Sequence, residues 1–345
     1  MTQAEPFVVS VVIPVYNAEK FVARAVASAL AQPEVGEVVL VEDQSPDQAL
    51  AVCQRLAAEQ PDRVRLFRHP DGRNHGAGPS RNLGIRQARF PFIAFLDADD
   101  YYLPNRFARD AELLLADETL DGAYNALGVE FVDEEGERWW RAQPARARLT
   151  TIWDPPPPED LFVEMSLLGK RGLFSFDAAT FRRRAFERGG YFSDLRLSQD
   201  TLLRMQLAAK CRLAGSQTRA PVAMRGVHGD NRIRHPERMR RAEQEVYAAL
   251  LAWAPTAGLT RRQRRVLHDV CLRRCRRWSI TRRIVAQDPL LLLRGRTLLV
   301  VLLRMLFRQE AGDLRLPGFF PEFRRRLAQR LRPADERPTP DPGRP

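Results

Sequence analysis

Phe92-Ile93-Ala94-Phe95-Leu96-Asp97-Ala98-Asp99-Asp100 runs from five apolar residues straight into a carboxylate-rich end. An apolar run without polar interruption reads as a strand buried on both faces, the pattern of a parallel sheet. Charges at its end fall on the carboxyl edge of the sheet, where open α/β folds bind ligands. Asp97 and Asp99 are two apart, so on an extended backbone they point the same way. Two like charges held together repel unless a cation lies between them, and hard oxygen ligands suit Mg²⁺ or Mn²⁺. The alternative is an acidic turn whose aspartate caps the next helix.

Strand and helix patterns alternate through the first hundred residues. Val8 to Ile13 reads as a strand ended by Pro14, which lacks the N–H of the ladder. Asn17 is expected to cap a helix running to about Ala31, with Phe21, Ala25 and Leu30 on one face. Val38 to Val41 is a second strand, and Ser45-Pro46-Asp47 opens a helix with proline at its first position. Val64 to Phe67 is a third strand, and Gly76 to Gly78 turn into a helix through Arg89. Such alternation gives a parallel sheet wound with right-handed crossovers. Farther on, Trp139-Trp140 and Pro155 to Pro158 read as loops, and Leu197 to Ala209 as a helix.

The 345 residues are 44% hydrophobic and 28% charged, the balance of a soluble globular protein with room for one large domain or two smaller ones. The net charge of +12 favours acidic partners. Cys53, Cys211, Cys271 and Cys275 are scattered, which fits a reducing compartment, and nothing near Cys271 and Cys275 completes a zinc set. Met1 to Pro6 lack the basic-then-apolar pattern of a secretory signal, so a cytoplasmic location is expected.

Four motifs in order carry a resemblance: Ser10 to Asn17, Val41 to Ser45, Ser80-Arg81-Asn82-Leu83-Gly84, and Leu96 to Asp100. Together they resemble family 2 glycosyltransferases, inverting enzymes of GT-A fold, over about residues 8 to 235. The resemblance implies a Rossmann-like, mainly parallel sheet flanked by helices, a nucleotide-diphospho-sugar donor and a divalent metal. It also assigns roles. Pro14, Val15 and Tyr16 would pack the nucleotide, with Tyr16 stacking on the base; an aromatic covering the core rim is the alternative. Asp43 would accept a hydrogen bond from the base N–H, which suits uracil and makes a UDP-sugar the first expectation. Glu42 and Gln44 depart from the family's usual Asp and small Gly or Asn, which leaves thymidine and guanosine donors open.

Asp97 and Ala98 belong to the nucleotide site in this reading, and Asp99 to the metal. A guanidinium near a helix N-terminus is locally unfavourable, so Arg81 is expected to meet a bound diphosphate; a salt bridge to Asp97 or Asp99 is the alternative. Leu197 to Arg204 resembles the family's Glu-Asp motif, with Gln199 in the place of Glu and Asp200 as general base; helix capping is its other reading. Val227-His228-Gly229-Asp230-Asn231 resembles a late motif in which His228 is a metal ligand or a phosphate hydrogen-bond donor, with a purely structural histidine as the third possibility.

From Gly258 to Arg332 arginines outnumber acids roughly four to one. Pro289 to Phe307 is apolar but broken by Arg294, Arg296 and Arg304, too short to span a bilayer comfortably. A basic amphipathic helix on an anionic leaflet and an ordinary packed helix are the two readings; nucleic acid is disfavoured, since few aromatics stand among the arginines. The expected organisation is a catalytic domain over 1–235, a basic, mostly α-helical extension over 236–332, and a disordered Pro-rich tail over 333–345. The expected activity is metal-assisted, inverting sugar transfer to a glycan or lipid-linked glycan, at the cytoplasmic face of a membrane. A catalytically silent nucleotide-sugar-binding scaffold, suggested by Gln199 and the altered second-strand motif, is the alternative. A nucleotidyltransferase would want a glycine-rich loop after the first strand, where Val15 to Glu19 has no glycine.

Overall fold

Ten strands order the chain: β1 (Val9–Val15), β2 (Val35–Glu42), β3 (Val64–Arg68), β4 (Phe92–Phe95), β5 (Tyr101–Tyr102), β6 (Gly122–Tyr124), β7 (Ala126–Phe131), β8 (Ala179–Arg182), β9 (Leu213–Gly215) and β10 (Pro221–Val227). They are seen in a computed structural model that describes residues 6–142, 148–166, 171–229, 236–274 and 284. Seven of them form a sheet in the order β3-β2-β1-β4-β8-β6-β9, and β5-β10-β7 form a smaller one. The β3-β2-β1-β4 half is parallel throughout, whereas β8 enters antiparallel to both β4 and β6. β1 and β4 are central, and apart from Pro14 their apolar side chains are fully buried, as their largely apolar runs require.

The helices are α1 (Val22–Leu30), α2 (Ala49–Glu59), α3 (Ala77–Gln87), α4 (Ala108–Ala116), α5 (Glu134–Arg141), α6 (Leu161–Ser166), α7 (Arg184–Gly189), α8 (Gln199–Lys210), α9 (Pro236–Trp253) and α10 (Arg261–Arg274). α1 buries Val22, Ala25, Val26 and Ala29. α3 lies on β1 and β2, and Gly84 makes this possible: a Cβ there would sit 2.2 Å from Val12 Cγ1. α9 packs on α8, and α10 on α6. Lys210 Nζ donates to Ala257 O (2.8 Å) and Gln263 Nε2 to Ala209 O (3.2 Å), so these basic helices belong to the compact unit over residues 1–275. The stretch 289–307, the tail from Pro333 and Cys275 lie outside the described residues.

Several expected boundaries shift, each for a physical reason. Pro14 does not end β1. Val15 O accepts from Asp43 N on the β2 side, and Val12 O from Leu96 N on the β4 side. The missing N–H of Pro14 therefore faces β4 just past its last residue, Phe95, where the ladder has run out. Asn17 does not cap α1; it adopts φ 53°, a left-handed turn that Asn tolerates, and its N–H donates to Ser45 Oγ (3.2 Å). Ser45 and Asp47 in turn clasp the β1–α1 loop, since Asp47 Oδ2 accepts from Glu19 N (2.8 Å), and α2 begins only at Ala49. Trp139 and Trp140 lie in a helix, α5. Asp133 caps it by accepting from Gly136 N (2.6 Å), with acids in its first turn and arginines in its last.

Glu37 in β2 is wholly buried, where burial alone would push its pKa up. Hydrogen bonds from Arg89 N (2.6 Å) and Ser10 Oγ (2.7 Å) and ion pairs with Arg65 and Arg89 outweigh burial and hold it below the ordinary value. A depressed folded-state pKa contributes stability above the unfolded value, about 4.3, that is lost as pH falls through the folded value. Glu37→Gln is therefore expected to lower the urea midpoint at pH 7, with the gap from wild type narrowing below about pH 4.3. A gap independent of pH would show that the charge of Glu37 is not its source.

Candidate active site

The strand ends build a cleft of about 600 Å³ whose lining includes Pro14, Val15, Tyr16, Asp43, Arg81, Asp97, Ala98, Asp99, Asp200 and His228. These ten residues, each given a binding or catalytic role by the sequence resemblance, thus line one cavity, and it lies at the carboxyl edge of the parallel half-sheet. Tyr16 is 41% exposed and borders it, having no place in the core.

Asp43, one residue past β2, is buried and heavily engaged. Its Oδ1 accepts from His75 N (2.8 Å), and its Oδ2 from Asn74 Nδ2 (2.9 Å) and Gly76 N (2.7 Å). Three of its roughly four lone-pair directions are therefore taken by the loop that opens α3. Gly76 holds φ 91° there, a conformation suited to glycine. Of the departures at 42 and 44, the structure explains the first and gives no reason for a glutamine at the second. Glu42 reaches Arg68 (2.8 Å), and Gln44 sits at φ 56°, where a residue with a Cβ is disfavoured by roughly 1–2 kcal/mol.

The acidic stretch is a turn, closed by Asp100 N donating to Asp97 O (3.0 Å), and this changes which carboxylates converge. Asp97, Asp100 and Asp177 each present an oxygen within 4.8 Å of the others. Asp99 points elsewhere, its Oδ2 3.2 Å from His228 Nε2. The turn is fastened to β10: Asp100 Oδ1 accepts from Gly226 N (3.0 Å), and a Cβ on Gly226 would stand 2.5 Å from Asp99 O. Arg81 pairs with Asp97, so of its two readings the salt bridge is the one observed. Its Nε and Nη1 are buried without hydrogen-bond partners, and its guanidinium lies 5.2 Å from the Phe192 ring centre.

Negative charge is in excess here. Burial, then the neighbouring Asp177 and Asp99, push the Asp100 carboxyl well above its ordinary pKa. Burial and Asp97 push Asp177 up to about 6, against Arg225, Arg81 and a hydrogen bond from Ser175. Asp100 Oδ2 is buried with no hydrogen-bond partner. Carboxylates, an imidazole and an unsatisfied buried oxygen form a donor set that fits a divalent cation.

Asp200 stands in the first turn of α8, its side chain 47% exposed. Its partner is Arg204 Nη2 (3.2 Å), and α8 has no side-chain cap. The Arg204 guanidinium is buried, donating also to Phe174 O (2.8 Å) and Thr201 Oγ1 (3.1 Å). His228 stacks on Phe21 at 5.0 Å, and its strand end is covered by α5, whose Gly136 would place a Cβ 2.5 Å from Val227 O. Asp230 and Asn231 of the late motif lie outside the described residues. Sequence reasoning missed Asp100, Asp177, Arg204 and Arg225. Asp177 precedes a four-residue strand with no periodic signal of its own, so only the antiparallel entry of β8 reveals it.

The chain belongs to glycosyl transferase family 2, whose model matches residues 10–190. It is 31% identical over 285 residues to the succinoglycan biosynthesis protein ExoU of Rhizobium meliloti, covering 78% of each chain. To ExoO of the same organism, another succinoglycan biosynthesis protein, it is 45% identical over 106 residues, 30% of this chain and 29% of that one. Among solved structures it resembles S. aureus TarS in complex with UDP-GlcNAc, with TM-score 0.56 and 17% identity over 87% of this chain and 80% of that one. It also resembles the mannosyltransferase PcManGT from Pyrobaculum calidifontis in complex with GDP-Man and Mn²⁺, with TM-score 0.52 and 17% identity over 88% and 85%. The enzyme is a glycosyltransferase of GT-A fold, as its sequence motifs imply. Among the described residues no helix is long and apolar enough to cross a membrane.

Proposed function

We propose that this glycosyltransferase moves a sugar, with inversion at the anomeric carbon, from a UDP-sugar to a glycan or lipid-linked glycan acceptor. One observation carries the reading: residues from separate parts of the chain, Asp97, Asp99, Asp200 and His228, meet in one cleft beside Pro14, Val15, Tyr16, Ala98 and Asp43. Tyr16 stacks on the base, and the remaining acceptor capacity of Asp43 is directed at its N–H. Asp200, held by Arg204, takes the proton of the acceptor hydroxyl as that oxygen bonds to the anomeric carbon. The bond from that carbon to the nucleotide diphosphate breaks on the opposite face, and the diphosphate departs with the electron pair.

Asp99 and His228 would hold a divalent cation, Mn²⁺ or Mg²⁺, with the Asp97, Asp100 and Asp177 carboxylates beside them. When bound, it supplies positive charge to the leaving diphosphate. A polysaccharide acceptor is supported by the similarity to ExoU, a succinoglycan biosynthesis protein. Assembly at the cytoplasmic face of a membrane is supported by the basic, apolar composition of 289–307.

Calorimetric titration with UDP, with and without Mn²⁺, tests the site. The wild type is expected to bind UDP at least tenfold more tightly with Mn²⁺, and Asp99→Asn to lose that increment. Equal binding with and without metal would overturn the cation assignment, and preference for GDP or dTDP would overturn the uridine one.

A further inference from the structure

The cleft needs positive charge for a diphosphate, yet three of the arginines beside it already face carboxylates of the cleft. Arg81 is paired with Asp97 and buried against Phe192. Arg225 is half-buried and faces the carboxylates, with Asp177 at 3.9 Å, and donates to Ser175 Oγ (3.4 Å). Arg204 holds Asp200. Arg196 is different. It lines the same cleft and is exposed to solvent. Its Nη1 donates to Asn74 Oδ1 (2.8 Å) and its Nη2 to Asn74 O (3.4 Å), so both acceptors are neutral.

We infer that Arg196 is the guanidinium that binds the donor's diphosphate, exchanging its two bonds to Asn74 for charge-assisted bonds to phosphate oxygens. The inference rests on the nucleotide-sugar reading above and moves the phosphate contact from Arg81 to Arg196. The exchange favours the bound state, because it replaces neutral acceptors with anionic ones that a guanidinium frequently grips in bidentate fashion. Asn74 does not collapse when Arg196 leaves, since its Nδ2 remains bonded to Asp43 Oδ2 (2.9 Å) and O (2.8 Å).

The position of Arg196 in the chain strengthens the case. It lies on the short connection between Phe192 and α8. One end is pinned by Asn82, which donates to Phe192 O (2.7 Å) and accepts from Phe192 N (2.9 Å). The other is Ser198, which enters α8 at φ 58°, two residues before Asp200. A diphosphate gripped by Arg196 is thereby tied to the segment that presents the general base.

The test compares uridine, UMP and UDP as calorimetric ligands in the presence of Mn²⁺, with the guanosine series run in parallel, for wild type, Arg196→Gln and Arg196→Lys. Arg196→Gln is expected to weaken UDP about 10- to 100-fold and to leave uridine within about twofold. Arg196→Lys is expected to recover part of the loss, as a point charge without the fork. Unchanged UDP affinity in Arg196→Gln would overturn the inference, and so would equal weakening of uridine and UDP, which would mean that Arg196 only braces the Asn74 loop. If no nucleotide of either series bound the wild type, the nucleotide-sugar reading itself would fall. Circular dichroism melts of each variant separate these outcomes from misfolding.

Discussion

Asp200→Asn is expected to lower the turnover of donor sugar by about 10²- to 10⁴-fold, the range that a positioned general base contributes. Asparagine keeps the size of the side chain and a hydrogen bond to Arg204 but cannot take a proton. If Asp200 acts on the acceptor hydroxyl as proposed, UDP affinity should stay within about twofold while kcat collapses; interactions made only in the transition state show this split. Release of UDP from a UDP-sugar, followed at saturating donor, reads the first quantity, and calorimetry the second. Turnover within threefold of wild type would exclude Asp200 as the base. Attention would then pass to Asp177, whose burial and neighbour Asp97 raise its pKa to about 6, near the range a base at neutral pH requires.

A stability effect of comparable weight is expected at Asp110, which is given no part in the proposed chemistry. Asp110 in α4 has no solvent exposure and pairs with Arg106 (2.8 Å), which is equally buried. It also accepts from Asn125 Nδ2 (3.0 Å) and Thr180 Oγ1 (2.7 Å), so one carboxylate joins α4 to β8 and the β6–β7 connection. Asp110→Ala leaves the Arg106 guanidinium buried without its countercharge, a change expected to cost about 3–5 kcal/mol. That is a large part of the 5–15 kcal/mol typical of a folded domain. Urea unfolding measures it, and a loss under about 1 kcal/mol would mean that water reaches the site and replaces the ion pair. The double variant Arg106→Met, Asp110→Leu is expected to regain most of the loss, because removing both charges removes the uncompensated one.

The parallel half of the sheet was readable because β1, β2 and β4 are buried almost throughout and therefore written as largely apolar runs, while β3, at the edge, is only partly so. The ligand-binding edge was readable for a related reason: Asp43 and Asp97 interrupt those runs abruptly. Local backbone geometry was not readable to the same degree. Asp97 to Asp100 turn rather than continue a strand, and the turn is fastened by the bond that Gly226 N, 126 residues away, donates to Asp100 Oδ1. The turn, rather than two-residue alternation, sends Asp99 to His228 and gathers Asp97 with Asp100 and Asp177. Pro14 and Asn17 misled because their local preferences were weighed without their neighbours; a missing N–H matters only where a strand stands opposite. Arg81 lines the cleft and pairs with Asp97, a carboxylate of the same cleft.

The antiparallel entry of β8 also bears on how the chain comes to be folded as it is made. β1, β2, β3 and β4 can pair as soon as residue 95 has emerged, but the open flank of β4 is closed only by Ala179 to Arg182. At typical synthesis rates that interval lasts about 4–17 s. Throughout it, a fully apolar strand presents a bare hydrogen-bonding edge, the surface most prone to pairing with another nascent chain. The strand that follows Asp177, one of the three converging carboxylates, is therefore also the one that ends the period of greatest aggregation risk.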